Sequence, residues 1–127
     1  ESDLAELMLA VAENRLATLQ PPRLSNDTAL TVVMAANGYP DTPHKGGAIT
    51  GLAQAEATGA KVFHAGTALQ GGQLVAAGGR VLNVTARGAN ATEAQAKAYA
   101  GVDAIRFPDG FCRRDIGWRE VARERQG

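Results

Sequence analysis

The sequence predicts a small α+β domain with a mainly antiparallel, sandwich-like sheet, preceded by one helix. Three observations carry this fold class. The chain has 127 residues, 45% of them hydrophobic, enough for one modest core. Long helical periodicity occurs in only two stretches, whereas the remainder alternates short apolar runs with glycine pairs. The first helix, a proline break and then the strands follow in that order, which is not the alternation of a parallel α/β fold.

Taken in order, residues 3–14 predict an amphipathic helix. Leu4, Leu7, Met8 and Val11 recur at i, i+3, i+4 and i+7. Ser2 or Asp3 can cap it, with Glu6 three residues after Asp3. The paired prolines in "LQPPRLSND" (19–27) then forbid helix and strand ladder alike, so a boundary falls near residue 20. Residues 29–36 predict a buried strand. It runs into "NGYPDTPHKGG", a loop much longer than the two to five residues or so of a tight turn. Residues 51–59 suit a short helix or an irregular arm, stopped by Gly59, and 60–66 a short strand. Gly71-Gly72 inside 69–75 signals a hairpin. Another glycine turn opens 76–88, a strand with Val81, Asn83 and Thr85 on one face and Leu82 and Val84 on the other. Residues 91–106 predict the second helix, capped by Asn90 with Glu93 three on. Its apolar stripe of Ala94, Ala98, Val102 and Ile105 is small enough for close packing. "FPDGF" (107–111) reads as a turn and the remainder as a polar tail.

Charge and composition exclude several classes. The formal net charge is zero, which gives no general affinity for nucleic acid or an anionic membrane. Residues 1–60 nonetheless carry three basic and seven acidic side chains, and residues 61–127 ten basic and six acidic. Five arginines fall between Arg113 and Arg125, either a solvated mixed-charge segment or an anion-facing patch. The lone Cys112 cannot form an internal disulfide and suits a reducing, cytoplasmic setting. No apolar run approaches the roughly 20 residues of a membrane span. The start lacks both a signal-peptide layout and a Met, which suggests a fragment of a longer chain.

Self-contained catalysis finds little support. The only serines, Ser2 and Ser25, lie outside any nucleophile elbow. Two histidines and one cysteine, scattered from His44 to Cys112, lack zinc-site spacing, and His64 suits a packed, hydrogen-bonded strand residue better than a ligand. Gly66–Gly71 begins like a phosphate loop, but Gly72 and Gln73 stand where Lys and Ser/Thr are needed. Two candidate surfaces remain. In the long loop, Gly38 allows positive φ and exposed N–H groups, Pro40 biases Tyr39 towards extended backbone, Lys45 supplies a cation and Gly46-Gly47 permit close approach. The same residues also suit an ordinary surface loop. In "RRDIGWR", Asp115 can pair with Arg113, Arg114 or Arg119, Gly117 allows a tight turn, and Ile116 and Trp118 can anchor the segment in the core. A C-terminal staple is the plainer reading of it.

These stretches also carry a resemblance. "GYP", "KG", "GAKVFHAGT", "GGRVLNVTARG", "EAQAKAYAGV" and "FCRRDIGWR" match, in order and spacing, the C-terminal part of the phosphoribosylamine–glycine ligase (glycinamide ribonucleotide synthetase) family. "SDLAELMLA" resembles the end of that family's ATP-grasp domain. The resemblance implies the C-terminal domain of an ATP-grasp ligase. In purine biosynthesis that enzyme joins glycine to 5-phosphoribosylamine through a glycyl phosphate, using ATP and Mg²⁺ held in an upstream domain. Residues 1–19 would be the last ATP-grasp helix, 20–28 a linker and 29–127 the C-terminal domain, inactive alone and partnered by the upstream N-terminal and ATP-grasp domains. The family's "GYP" and "KG" map onto Gly38, Tyr39, Pro40, Lys45 and Gly46, expected to face the substrate cleft. "DIGWR" maps onto Asp115, Gly117, Trp118 and Arg119, with Arg119 as a second anion contact and the others in support. No catalytic or metal-binding residue is expected in this stretch. Three positions depart from the family: Asn37 replaces Gly, Gly47 replaces Asp, and Asn83 replaces a small apolar residue. A biotinyl or lipoyl carrier is a rival reading, although Lys45, Lys61 and Lys97 have no Met neighbour; a purely structural module is another.

Overall fold

The structure, a computed structural model, describes residues 1–126. Helix α1 spans Leu4–Ala12, its first turn capped by Asp3, whose carboxylate accepts from the Ala5 and Glu6 amides at 2.8 and 3.3 Å. Asn14, in the left-handed region at φ 54°, ends the segment, and a 3₁₀ turn follows at Leu16–Thr18. The apolar stripe predicts burial, yet Leu4 and Met8 are each 66% exposed and Val11 58%. The helix packs on its own 3₁₀ turn instead.

Beyond the linker the chain forms β1 (Thr28–Ala36), α2 (Leu52–Ala57), β2 (Lys61–His64), β3 (Thr67–Gln70), β4 (Gln73–Ala76), β5 (Arg80–Gly88), α3 (Ala91–Ala104), β6 (Gly110–Cys112) and α4 (Trp118–Glu124). An antiparallel sheet runs β2-β5-β1-β6, and β3-β4 form a separate hairpin around Gly71-Gly72. Leu30, Val32 and Met34 of β1 stand opposite Ala86, Val84 and Leu82 of β5, respectively, on the face that α3 covers. Thr31 and Val33 point the other way, and Thr31 shares a 2.8 Å hydrogen bond with Thr85 across the strands. That outer face carries Val33, Phe63 and Phe111 at 38, 50 and 44% exposure. No described helix is long and apolar enough to cross a membrane.

Four expectations need correction. Val81 is fully buried, like Leu82, because the register shifts between Met34 and Ala35 and leaves Val81 as the extra residue of a bulge. Within 107–111, Gly110 begins strand β6 by pairing with Ala36, at a spot where a Cβ would lie 2.1 Å from the Phe107 ring. The expected polar tail contains α4, held by buried Val121 and by Glu124, whose carboxylate accepts from the Ala91 and Thr92 amides. Trp118 is 54% exposed and does not anchor the core; Ile116, half-buried against it, does. Asn83 lies half-buried on the outer face, and no described side-chain polar atom is buried without a partner. His64 is exposed, its Nδ1 3.0 Å from the Thr67 hydroxyl.

Candidate functional site

The loop after β1 is closed by its own backbone. The His44 amide donates to the Asn37 carbonyl at 2.8 Å and the Thr42 amide to the Gly38 carbonyl at 2.9 Å. Gly38 has φ 84°, and a Cβ there would lie 2.2 Å from the Thr42 carbonyl oxygen, so the turn itself demands glycine. Asn37, in place of the family's glycine, is fixed through its main chain, its amide donating to the Asp109 carbonyl at 2.8 Å. Gly47 is hemmed in by Asp109, whose carboxylate oxygen lies 2.8 Å from the place of a Cβ at 47. A side chain at 47, such as the Asp of the resemblance, would therefore run into Asp109 and the Phe107 ring. The Tyr39–Pro40 peptide is cis, and the Tyr39 ring lies against Gly79. Lys45 is exposed, with no ion-pair partner among the described residues.

The "RRDIGWR" segment is built differently. Arg113 grips Asp115 with both nitrogens of its fork, at 2.8 and 2.5 Å. That fork holds the Asp115 carboxyl below the usual carboxylate range. Arg114 pairs with Asp103 at 2.6 Å and lies over the Tyr99 ring, 5.5 Å from its centroid. Gly117, at φ 79°, turns the chain into α4. Arg119 then stands over the Trp118 ring at 5.4 Å, without a carboxylate partner among the described residues.

A groove of about 290 Å³ on the outer sheet face brings part of the two motifs together. Val33, Ala35 and Phe111 form its floor, while Tyr39, Arg113 and Ile116 stand around it. An adjoining depression of about 390 Å³ shares Arg113 and Ile116 and reaches Trp118 and Arg119. Tyr39 and Arg119 thus line two hollows that have Arg113 and Ile116 in common. Gly38, Pro40, Lys45 and Gly46 do not line it. Sequence reasoning missed Arg80, an exposed cation on the groove wall with no ion-pair partner among the described residues. Its signal was a basic residue closing the Gly78-Gly79 turn. A hollow of about 780 Å³ lies between α1 and residues 18–23, away from both motifs.

The residues present do not fit ATP and Mg²⁺. Among the described residues no three His, Cys, Asp or Glu side chains are grouped as a metal site requires. Of the carboxylates in or beside the motifs, Asp103 and Asp115 are each committed to a guanidinium, and Asp41 and Asp109 belong to no cluster of three.

Comparison with known proteins agrees with this organisation. The chain is 58% identical over 125 residues to the phosphoribosylamine–glycine ligase of Mesorhizobium japonicum, covering 98% of this chain and 29% of that protein. It is 50% identical over 124 residues to the chloroplastic phosphoribosylamine–glycine ligase of Arabidopsis thaliana, covering 95% of this chain and 23% of that one. The crystal structure of phosphoribosylamine–glycine ligase from Thermotoga maritima superimposes with a TM-score of 0.72 at 37% identity, covering 87% of this chain and 27% of that one. This chain therefore spans less than a third of the length of each of these relatives. Residues 29–119 match the family described as phosphoribosylglycinamide synthetase, C domain, and the chain belongs to that family.

Proposed function

We propose that this chain is the C-terminal domain of a ligase that joins glycine to 5-phosphoribosylamine in purine biosynthesis, and that it supplies one wall of the substrate cleft. In this reading residues 29–127 are the domain, 20–28 the linker and 1–19 a helix that belongs with the upstream part. The exposed stripe of α1 and a family match beginning at residue 29 support that division. ATP and Mg²⁺ are held upstream, where glycine becomes its acyl phosphate. The observation that carries the reading is that the hollow beside Tyr39 and the hollow beside Arg119 share Arg113 and Ile116, because this brings together two motifs about 75 residues apart in the sequence. Arg119 and Arg80 offer unpaired guanidinium groups to an anion there, and Lys45 adds positive charge from the neighbouring loop. A carrier role draws no support from the fold, since Gly71 and Gly72 rather than a lysine occupy the hairpin tip.

The test is ADP release dependent on both glycine and phosphoribosylamine. The chain alone should give none, and the chain with the upstream domains supplied in trans should give turnover. Turnover by the chain alone would overturn the assignment of ATP and metal to the upstream part.

A further inference from the structure

We infer that a polar stripe on α3, Gln95–Tyr99–Asp103, positions the segment that presents Arg119 to the anionic substrate; this rests on the reading of Arg119 given above. The three residues recur every fourth position and so lie along one helix face. Each holds a different part of the segment. The Tyr99 hydroxyl donates to the Arg113 carbonyl at 2.8 Å and accepts from the Ile116 amide at 3.1 Å. The Gln95 amide donates to the Ile116 carbonyl at 2.7 Å. Asp103 takes Arg114 at 2.6 Å.

Both peptide groups of Ile116 are therefore fixed on α3 one residue before the Gly117 turn. A side chain at 117 would meet Leu30 Cδ1 at 2.6 Å, so that turn is pressed against β1. Seven residues later Glu124 binds the first turn of α3 at the Ala91 and Thr92 amides, at 2.7 and 3.0 Å. Arg119 thus lies between two points tied to one helix. A tightly packed apolar anchor would hold Ile116 just as well for stability. Three directed hydrogen bonds to its two peptide groups and to the Arg113 carbonyl fix orientation as well, which a guanidinium contact to a phosphate requires.

The experiment uses the full-length enzyme with Tyr99→Phe, Arg119→Ala and the double variant, measuring kcat, KM for each substrate and thermal midpoint. Tyr99→Phe keeps the ring but removes two hydrogen bonds. It should raise KM for phosphoribosylamine about ten-fold while leaving KM for glycine and kcat nearly unchanged. In the Arg119→Ala background the same change should add less than about two-fold, because the side chain it positions is gone. Gln95→Met, which removes the second hold on Ile116, should act in the same direction. A Tyr99→Phe enzyme with only a lowered thermal midpoint overturns the inference, as does an effect that multiplies unchanged in the double variant. An Arg119→Ala enzyme with unaltered KM removes the underlying reading of Arg119, and the inference with it.

Discussion

Gly101 offers a decisive test of how tightly α3 lies on the sheet. It faces inward among Ala94, Ala98 and Val102. A Cβ at 101 would sit 2.8 Å from the Ala60 Cβ and 2.9 Å from the Val84 Cγ1. Carbon atoms prefer about 3.5–4.0 Å, so Gly101→Ala creates two overlaps of roughly 0.6 Å or more. Two effects then compete. Alanine favours the helix over glycine by about 1 kcal/mol. Overpacking a well-filled site costs about 1–3 kcal/mol. The upper half of that range applies because neither neighbour can retreat. Val84 is fully buried and paired with Val32 on one side and Val62 on the other. Its β-branched side chain has little rotamer freedom. The net expectation is a loss of about 1 kcal/mol, or roughly 4 °C in thermal midpoint. Urea and thermal unfolding followed by circular dichroism would read it. Ala100→Gly, at the exposed neighbouring position, isolates the propensity contribution and should cost about 1 kcal/mol by itself. If Gly101→Ala instead stabilises the protein by about that amount, the helix–sheet contact yields freely and the close-packing argument fails.

Acid should loosen the tie between α4 and α3. Hydrogen bonds from Thr92 and Ala91 hold the Glu124 carboxyl below the ordinary glutamate range. Its stabilisation is thus complete above about pH 4.3 and disappears as pH falls through the lower folded-state value. Thermal midpoints measured from pH 7 to pH 3 should drop at the acid end, and Glu124→Gln should make that drop shallower; an identical profile would sink the assignment. Met8→Asp, on the exposed stripe of α1, should change the stability of this 127-residue chain by less than about 0.5 kcal/mol. In the full-length enzyme the same substitution should lower the thermal midpoint clearly, since burying such a side chain is worth about 1.5–3 kcal/mol. Equal effects in both would show that α1 does not belong with the upstream part.

What the sequence made legible followed from strong local signals. Asn90 and Glu93 marked the start of α3, and the Asn90 side chain does accept from the Glu93 amide at 2.8 Å. Gly71-Gly72 marked the hairpin, and the alternation of Asn83 and Thr85 against Leu82 and Val84 marked the two faces of β5. What stayed hidden depended on contacts distant in sequence. Strand β6 has three residues and exists because Gly110 meets Ala36. Helix α4 has one buried apolar residue, Val121, so it shows no periodicity; its tie to α3 comes from Glu124, more than thirty positions from Thr92. Trp118 misled because an aromatic residue suggests a core anchor, whereas here it lies under Arg119 at the surface. For the site, the two motifs could be found by eye, but their meeting could not.

That meeting is the work of the shortest strand. Ala36 ends β1 and opens the Tyr39 loop, and it pairs with Gly110 at the start of β6. From there β6 runs antiparallel to β1, so Phe111 stands beside Ala35 and Cys112 beside Met34. Continuing in that direction carries Arg113 back along the outer face towards Val33, while the loop folds the Tyr39 ring onto Gly79 from the other end. The bulge at Val81 belongs to the same geometry. It sets Arg80 opposite Ala35, which turns a glycine-turn arginine into a wall of the groove. Since α3 covers the opposite face, a ligand or domain bound at the groove would meet the sheet on this outer face. The helix layer therefore does two separate jobs. Its apolar side holds the sheet, and its polar stripe holds the end of the chain. A substitution on either side of α3 should be judged by which job it disturbs: Gly101 by stability alone, Tyr99 by substrate affinity in a protein that remains folded.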